Sequence, residues 1–344
     1  MLRRHTRCLA ADPAGISVAA DILRAGGLVG MPTETVYGLA GNALSAAAVR
    51  AIFEAKGRPA DDPVIVHVAA RSGLERVAVP NPVAVRLAEA FWPGPLTLVL
   101  PKRPEVPPEV TAGLQTVAVR VPSHPVASML LRACDLPIAA PSANLFGRPS
   151  PTTAQHVLDD LDGRIDAVVD GGPTSIGVES TIVDVCSPGP RLLRPGGVAA
   201  EAIETVLGVK LALPQERSGP QVAPGMLRVH YAPRTPLTLL IGPHALEQLL
   251  AEVHVAVSGG KRVGVLALEE DIPFLPAQLR AEVVGTYTEP SGSAARLFEA
   301  LRTLDAAGLD VLFARELGDP EAGLGRALAD RLRRASRQVL DTRD

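Results

Sequence analysis

Aromatic residues and cysteines are scarce in this chain of 344 residues. Phe, Trp and Tyr make up only 3% of it, which argues against a protein that stacks nucleic-acid bases along an aromatic platform. The three cysteines, Cys8, Cys134 and Cys186, are widely spaced and form no Cys-x-x-Cys pair. A disulfide framework or a cysteine-ligated zinc site is therefore not expected, and we predict a reducing, cytoplasmic setting.

Several common functional signals are also missing. No Gly-x-x-x-x-Gly-Lys-Ser/Thr motif occurs, no Gly-x-Gly-x-x-Gly follows the first predicted strand, and the seven histidines show no metal-ligand spacing. We therefore predict no bound transition metal. No apolar stretch is long enough for a membrane span, and no secretory signal is recognisable at the N-terminus. The net charge of −3, from 34 Lys and Arg against 37 Asp and Glu, excludes a globally basic nucleic-acid binder.

The chain has the composition of a folded protein, with 47% hydrophobic and 21% charged residues, and its length suggests two domains. Capping signals predict one helix after Asp12-Pro13 and a second from Ser45 to Lys56, ended by Gly57. Further helices and strands alternate irregularly up to about residue 210, which predicts a mixed α/β sheet. We expect strands at Leu28–Met31, Val64–Val68, Leu96–Leu100, Thr116–Val121, Ile138–Ala140, Ala167–Asp170 and Thr181–Val185, and helices at Val83–Phe91, Val126–Ala133 and Thr153–Leu161, the last capped by Thr152.

Proline and glycine punctuate residues 211–236, and we interpret this stretch as a linker. After it, four predicted strands alternate with three helices, which is typical of a small, doubly wound, Rossmann-like parallel sheet. The predicted domains are therefore 1–210, a linker at 211–236, and 237–344. The strands of the last domain are expected at Leu237–Ile241, Val263–Leu268, Val283–Tyr287 and Val311–Ala314.

Cations and short polar residues stand where elements end. Lys56 and Arg58 flank Gly57 at a helix C-terminus, a place where the helix dipole favours cations whatever their function. Arg120 lies in an otherwise apolar strand and needs an anionic partner, either a ligand or a structural ion pair, and we favour a ligand. Ser142 and Asn144 follow a strand, where such groups either contact ligands or cap helices. Together they predict a site that collects several negative charges.

Three other residues have two interpretations each. Ser150 follows Gly147 in the loop after that strand and is either a further ligand contact or a helix cap. Arg194, before Pro195-Gly196-Gly197, is either a surface cation or another phosphate contact. His67, considered by itself, is more often a structural histidine than a site residue.

Six segments together resemble the threonylcarbamoyl-adenylate synthase family, which has the YrdC-like fold. Their order along the chain makes the resemblance specific over residues 10–210, and the linker and last domain resemble the longer, two-domain branch. The segments are Pro32-Thr33-Glu34-Thr35-Val36-Tyr37-Gly38-Leu39, Lys56-Gly57-Arg58-Pro59, Trp92-Pro93-Gly94-Pro95-Leu96-Thr97, Ala139-Ala140-Pro141-Ser142-Ala143-Asn144, Gly177-Val178-Glu179-Ser180-Thr181-Ile182 and Leu193-Arg194-Pro195-Gly196.

The resemblance implies a YrdC-like twisted mixed sheet and a nucleotidyltransferase. This enzyme would convert L-threonine, bicarbonate and ATP, carried with Mg²⁺, into threonylcarbamoyl-AMP and pyrophosphate. The product would serve threonylcarbamoyladenosine formation in ANN-decoding tRNAs, through hand-off to a tRNA threonylcarbamoyl transferase complex, with at most a weak contact to RNA. The resemblance implies that Lys56, Arg58, Ser142 and Asn144 act in catalysis. It implies threonine binding by Thr35, His67, Arg120, Ala140 and Ser180, and ATP binding by Lys56, Arg58, Asp62, Thr116, Ser142, Asn144, Ser150, Arg194, His230 and Tyr231, the last two through closure of the linker.

Asp62 departs from the family pattern, in which Asn or Lys is common. A carboxylate repels phosphate unless Mg²⁺ or Arg58 lies between them, so this ATP contact needs a structural explanation. Two other functions remain open at this point. One is a module that binds double-stranded RNA, and the other is a relative that makes carbamoyl-adenylate during hydrogenase maturation, for which paired cysteines would be expected.

Overall fold

The computed structural model describes residues 5–187, 189–213 and 230–343. The chain forms two compact units. The first comprises Met1–Phe146, Ser150–Ser175 and Glu179–Leu227, and the second comprises Gly147–Pro149, Ile176–Val178 and Arg228–Asp344. The domain boundaries inferred from sequence stay a prediction, and most of the linker, residues 214–229, lies outside the described residues.

The first unit contains a ten-stranded sheet in the order β1-β8-β2-β3-β7-β4-β6-β5-β9-β10. Parallel pairs such as β4–β6 and β5–β9 alternate with antiparallel pairs such as β3–β7 and β9–β10, so the sheet is mixed, as predicted. The strands are β1 (Arg7–Ala10), β2 (Val29–Met31), β3 (Gly38–Asn42), β4 (Ile65–His67), β5 (Leu96–Pro101), β6 (Thr116–Arg120), β7 (Ile138–Ala139), β8 (Ala167–Asp170), β9 (Thr181–Asp184) and β10 (Arg191–Arg194).

Helices cover both faces of this sheet. Consecutive residues of β8 point to opposite faces, and Val168 packs in one apolar cluster while Val169 packs in the other. The second cluster contains the predicted apolar stripe of α1, including Ile16 and Leu23. The helices are α1 (Pro13–Arg24), α2 (Ala46–Lys56), α3 (Pro82–Phe91), α4 (Pro108–Thr111), α5 (Pro125–Cys134), α6 (Ala154–Leu161) and α7 (Ala200–Leu207), with a 3₁₀ turn at Arg71–Arg76.

The second unit contains a five-stranded, entirely parallel sheet in the order β13-β12-β14-β11-β15. This arrangement confirms the expected Rossmann-like class. Its strands are β11 (Leu237–Ile241), β12 (Val263–Leu268), β13 (Arg280–Gly285), β14 (Val311–Arg315) and β15 (Gln338–Asp341), and its helices are α8 (Ala245–Ser258), α9 (Pro290–Ala306) and α10 (Gly323–Ala335), with a 3₁₀ turn at Glu269–Phe274.

Two local expectations were wrong, and three strands were missed. The cap of α6 is Thr153 and not Thr152, because the Thr153 hydroxyl accepts the bond from the His156 backbone amide. Strand β13 ends at Gly285 and begins earlier than predicted. Strands β1, β3 and β15 were not predicted, because they are short and two of them are mainly polar or glycine-rich. Among the described residues, no helix is both long enough and apolar enough to cross a membrane.

Candidate active site

Arg120 is the centre of one polar group in the first unit. It is the last residue of β6 and is 3% exposed. Its guanidinium pairs with Glu34 Oε1 at 2.7 Å, donates to Thr35 Oγ1 at 2.9 Å and donates to the Gly94 carbonyl at 3.2 Å. These contacts use three of the five N–H groups of arginine, so two have no partner in the part of the chain that is described.

Glu34 supplies the anionic partner that the sequence required but did not identify. Burial alone would raise the pKa of this carboxyl, but the charge and hydrogen bonding of Arg120 outweigh it and lower the pKa to about 2. Glu34 Oε1 also accepts a bond from the Ser123 amide at 3.1 Å. Glu34 Oε2 is buried and receives no hydrogen bond from the described residues. Glu34 is therefore ionised at neutral pH with one oxygen unused.

His67 lies opposite Arg120 on the neighbouring parallel strand β4. Burial, reinforced by the Arg120 charge and only partly opposed by Glu34, lowers the pKa of His67 to about 3. The imidazole is therefore neutral at physiological pH, and its buried Nδ1 has no hydrogen-bond partner in the described part of the chain. Unused polar atoms of Glu34, His67 and Arg120 thus occur in one buried group.

The remaining predicted threonine contacts lie on adjoining strands. Ala140 follows β7, and its amide donates to the Ile65 carbonyl of β4 at 2.9 Å. Ser180 precedes β9, and its hydroxyl lies 2.8 Å from the hydroxyl of Thr97 on β5. Arg194 donates to the Ser180 carbonyl at 3.0 Å and to the Ser180 hydroxyl at 3.2 Å, so this cation is buried and not on the surface.

Lys56 joins the two segments that first suggested a phosphate site. It ends α2, where Gly57 turns the chain with a φ of 62°, a left-handed conformation that favours glycine. The Lys56 ammonium donates to the backbone carbonyls of Ser142 and Asn144. Ser142 itself is half-buried and bridges to Gly38. The ammonium therefore holds the loop after β7 against the C-terminus of α2.

Arg58, one of the expected phosphate-binding residues, is buried in contact with Asp62. It pairs with Asp62 Oδ2 at 2.9 Å and donates to the carbonyls of Asp62 and Pro63 at 3.2 and 2.8 Å. Burial raises the pKa of Asp62, although Arg58, Lys56 and Arg194 all act in the opposite direction. The charges of three cations therefore all act on the Asp62 carboxylate.

Two predicted ATP contacts lie elsewhere in the same unit. Ser150 is fully buried and donates to Glu179 Oε1 at 2.5 Å. Thr116 begins β6 and is half-buried. Three residues that sequence reasoning did not assign therefore position predicted site residues: Glu34, Thr97 and Glu179. Each lies inside a quoted family segment, and that was the only available signal.

His230 and Tyr231 lie in the second unit, where they pack against its helices. The His230 amide donates to the Arg334 carbonyl at 3.1 Å, and the Tyr231 ring lies 5.5 Å from the Phe298 ring and 5.2 Å from the Arg331 guanidinium. Tyr231 has a φ of 63° and is 1% exposed. Their contact with ATP stays a prediction.

Comparison with known proteins places this arrangement in a family. A family model described as "Telomere recombination" matches residues 21–196, and one described as "Threonylcarbamoyl-AMP synthase, C-terminal domain" matches residues 198–337. The threonylcarbamoyl-AMP synthase of Bacillus subtilis (strain 168) is 47% identical over 327 residues, which cover 93% of this chain and 92% of the relative. The chain belongs to the threonylcarbamoyl-AMP synthase family.

Other members of the threonylcarbamoyl-AMP synthase family support the match over the whole chain. The synthase of Pyrococcus abyssi (strain GE5 / Orsay) is 46% identical over 333 residues, covering 93% of this chain and 94% of the relative. The crystal structure of P. abyssi Sua5 complexed with L-threonine superposes with a TM-score of 0.91 and 42% identity, over 98% of this chain and 99% of that one. A P. abyssi Sua5 variant with adjacent His-to-Ala and Tyr-to-Ala changes superposes with a TM-score of 0.90 at 41% identity, over 98% of each chain.

Proposed function

We propose that this chain makes threonylcarbamoyl-AMP and pyrophosphate from L-threonine, bicarbonate and ATP. The observation that carries the proposal is the buried group of Glu34, His67 and Arg120, whose polar atoms are not all satisfied within the described residues. Unsatisfied buried polar atoms are costly, so their convergence is typical of a site for a small polar ligand. The threonine complex of the P. abyssi relative supports threonine as that ligand.

Threonine would bind through its carboxylate to the two N–H groups that Arg120 retains. A planar guanidinium suits a carboxylate, and the pair is stronger away from water. Neutral His67 would face the threonine hydroxyl, to which it can donate or from which it can accept. Thr35, Ala140 and Ser180 would complete the pocket, because each lies on a segment already held to Arg120 or to the strands beside it.

ATP would bind over the cations Lys56, Arg58 and Arg194. These act together on Asp62, so their positive potential overlaps in one region, as a triphosphate requires. The other proposed contacts are Thr116, Ser142, Asn144, Ser150 and Asp62 itself. Mg²⁺ would arrive with ATP and keep water and phosphate oxygens as most of its ligands.

The proposed reaction has two steps. The threonine α-ammonium and bicarbonate give a carbamate, one water and one proton. A carbamate oxygen then attacks the α-phosphorus, and pyrophosphate leaves. The carbamate is already an anion, so the second step requires no general base. Catalysis then consists of neutralising and aligning two anions, which Lys56, Arg58, Ser142 and Asn144 would do.

We further propose that the product is passed to a tRNA threonylcarbamoyl transferase complex, which forms threonylcarbamoyladenosine in ANN-decoding tRNAs. A mixed anhydride of carbamic and phosphoric acid is reactive, so direct transfer to an acceptor enzyme limits its hydrolysis. The names of the relatives agree with this product.

The test is pyrophosphate release with ATP, L-threonine and bicarbonate each left out in turn. Full release is expected only with all three, and mass spectrometry should detect threonylcarbamoyl-AMP. Release without threonine would contradict the proposal. RNA affinity that falls with salt and that ATP does not compete with, in the absence of turnover, would instead favour the RNA-binding alternative.

A further inference from the structure

The Glu34 carboxylate uses only one of its two oxygens in the described structure. Oε1 carries both the Arg120 ion pair at 2.7 Å and the Ser123 amide bond at 3.1 Å. Oε2 is buried and receives no hydrogen bond from residues 5–187, 189–213 or 230–343, and the side chain is 7% exposed. Leaving a carboxylate oxygen buried and unpaired is costly, so this atom is expected to have a use.

The chemistry of the oxygen restricts what it can bind. The Arg120 charge keeps Glu34 ionised at neutral pH, so Oε2 can only accept hydrogen bonds. Its ligand group must therefore be a donor, and a cationic donor forms the stronger bond. Arg120, bonded to the same carboxylate, is the proposed partner of the substrate carboxylate. In an α-amino acid, the nitrogen is attached to the carbon next to that carboxylate.

We propose that Glu34 Oε2 accepts a hydrogen bond from the α-nitrogen of the substrate, which makes Glu34 a specificity-determining residue for α-amino acids. The inference rests on the proposed function of the site. Arg120 then binds the carboxylate of the zwitterionic substrate, and Glu34 binds its ammonium group.

The same bond persists after carboxylation. The α-ammonium loses two protons overall and gains the carboxylate carbon, so the carbamate nitrogen keeps one N–H for Glu34. One of the two protons combines with the hydroxide that bicarbonate gives up and leaves as water. The other is released to solvent, because the low pKa of Glu34 keeps its carboxylate from holding a proton at neutral pH. Repulsion between Glu34 and the new carbamate oxygens disfavours the orientation in which those oxygens face Glu34. Glu34 thereby restricts the rotation of the nucleophile.

A purely structural role for Glu34, in which it only positions Arg120, makes a different prediction. Loss of that role would weaken the binding of every ligand that carries a carboxylate, whatever its α-substituent. The distinguishing experiment therefore compares two ligands that differ only at the α-position: L-threonine and the corresponding 2,3-dihydroxybutanoate, in which a hydroxyl replaces the ammonium.

Calorimetric titration of the full chain with both ligands is the test. The wild type is expected to prefer threonine by about tenfold or more, since a charge-assisted bond replaces a neutral one. Glu34→Gln should reduce that ratio to near one, because its amide offers a neutral acceptor or a donor that opposes the ammonium. An unchanged ratio in Glu34→Gln, or no preference in the wild type, would overturn the proposal.

Two further variants keep the result interpretable. Arg120→Lys should weaken the binding of both ligands and preserve the ratio of their affinities, because both ligands carry the same carboxylate. If Glu34→Gln fails to fold, as judged by the fluorescence of Trp92, the comparison moves to Glu34→Asp, which keeps the charge but shortens the reach. The ratio should then fall, and a preserved ratio again contradicts the proposal. Failure of the proposed function itself is separable, because the wild type would then bind neither ligand.

Discussion

Arg58 and Asp62 form an ion pair of 2.9 Å whose side chains are only 3% and 2% exposed. The pair explains how a carboxylate can occupy a position where phosphate binding was expected. Asp62 is a fixed internal anion beside cations that would otherwise repel one another in the absence of nucleotide. At the proposed ATP site, the same carboxylate would oppose the approach of a triphosphate, because both would compete for Arg58.

Asp62→Asn is therefore expected to strengthen ATP binding about threefold to tenfold and to leave the maximal rate intact or higher. The unliganded protein should lose about 3 kcal/mol in free energy of unfolding, since Arg58 keeps its charge but loses its partner. ATP titration and chemical denaturation measure the two effects. Asp61→Asn, the same charge change on the exposed neighbour, is the matched control and should alter both far less. A severe loss of activity in Asp62→Asn would mean that the carboxylate has a catalytic role.

Arg120→Ala should abolish measurable threonine binding while ATP binding remains detectable. It should also destabilise the first unit by about 3–5 kcal/mol, because it leaves Glu34 charged and buried. Adding Glu34→Ala should recover part of that stability without restoring threonine binding. Calorimetry and denaturation of the two variants test this pair of effects. Unchanged threonine affinity in Arg120→Ala would refute its role.

His67 should make the first unit sensitive to acid. Its pKa is lowered from 6.5 to about 3 in the folded protein, so the unfolded chain binds the proton first as pH falls below 6.5. The stabilisation is present above 6.5 and is lost progressively down to about pH 3, which amounts to about 2 kcal/mol between pH 6.5 and 5. Urea denaturation followed by Trp92 fluorescence should show this slope in the wild type.

The His67→Asn variant should lack that part of the slope, while His5→Asn, at an exposed position, should retain it. Glu34 interferes little in this window, because its own transition, from 4.5 to about 2, occurs at lower pH. Equal slopes in the wild type and His67→Asn would argue against a buried neutral imidazole.

Gly196→Ala should impair the site by a purely steric route. A Cβ at this position would lie 2.2 Å from the Glu179 carbonyl oxygen and 2.4 Å from the Ser180 carbonyl carbon. The backbone around Ser180 must then shift. This shift is expected to lower the free energy of unfolding by about 1–3 kcal/mol and to weaken the binding of both ATP and threonine. Binding and denaturation measurements check the two effects. Gly292→Ala, where the nearest atom outside helix α9 is the Val284 carbonyl oxygen at 3.9 Å, should leave substrate binding unchanged and should not lower stability.

Helix ends were predictable because capping is local. Asp12, Ser45 and Gly57 act on backbone groups within a few residues, and each occupies the predicted cap or end of its helix. Strand β3 was missed because it is defined by pairing with β2 and β7. Strand β7 is distant in sequence, and β2 is short and contains a glycine. The same locality explains the error at Thr152, since adjacent threonines have nearly equal capping propensity.

The sequence by itself determined the mixed and parallel sheets and the set of segments that resemble a nucleotide-using family. Only the tertiary structure decided how the charges are paired: Arg120 with Glu34, Arg58 with Asp62, and Arg194 with the backbone and hydroxyl of Ser180. Hydrophobic periodicity and capping depend on neighbours along the chain. The partner of a buried charge depends on which strands and loops meet in space, and electrostatic energy acts through that distance and not through sequence separation.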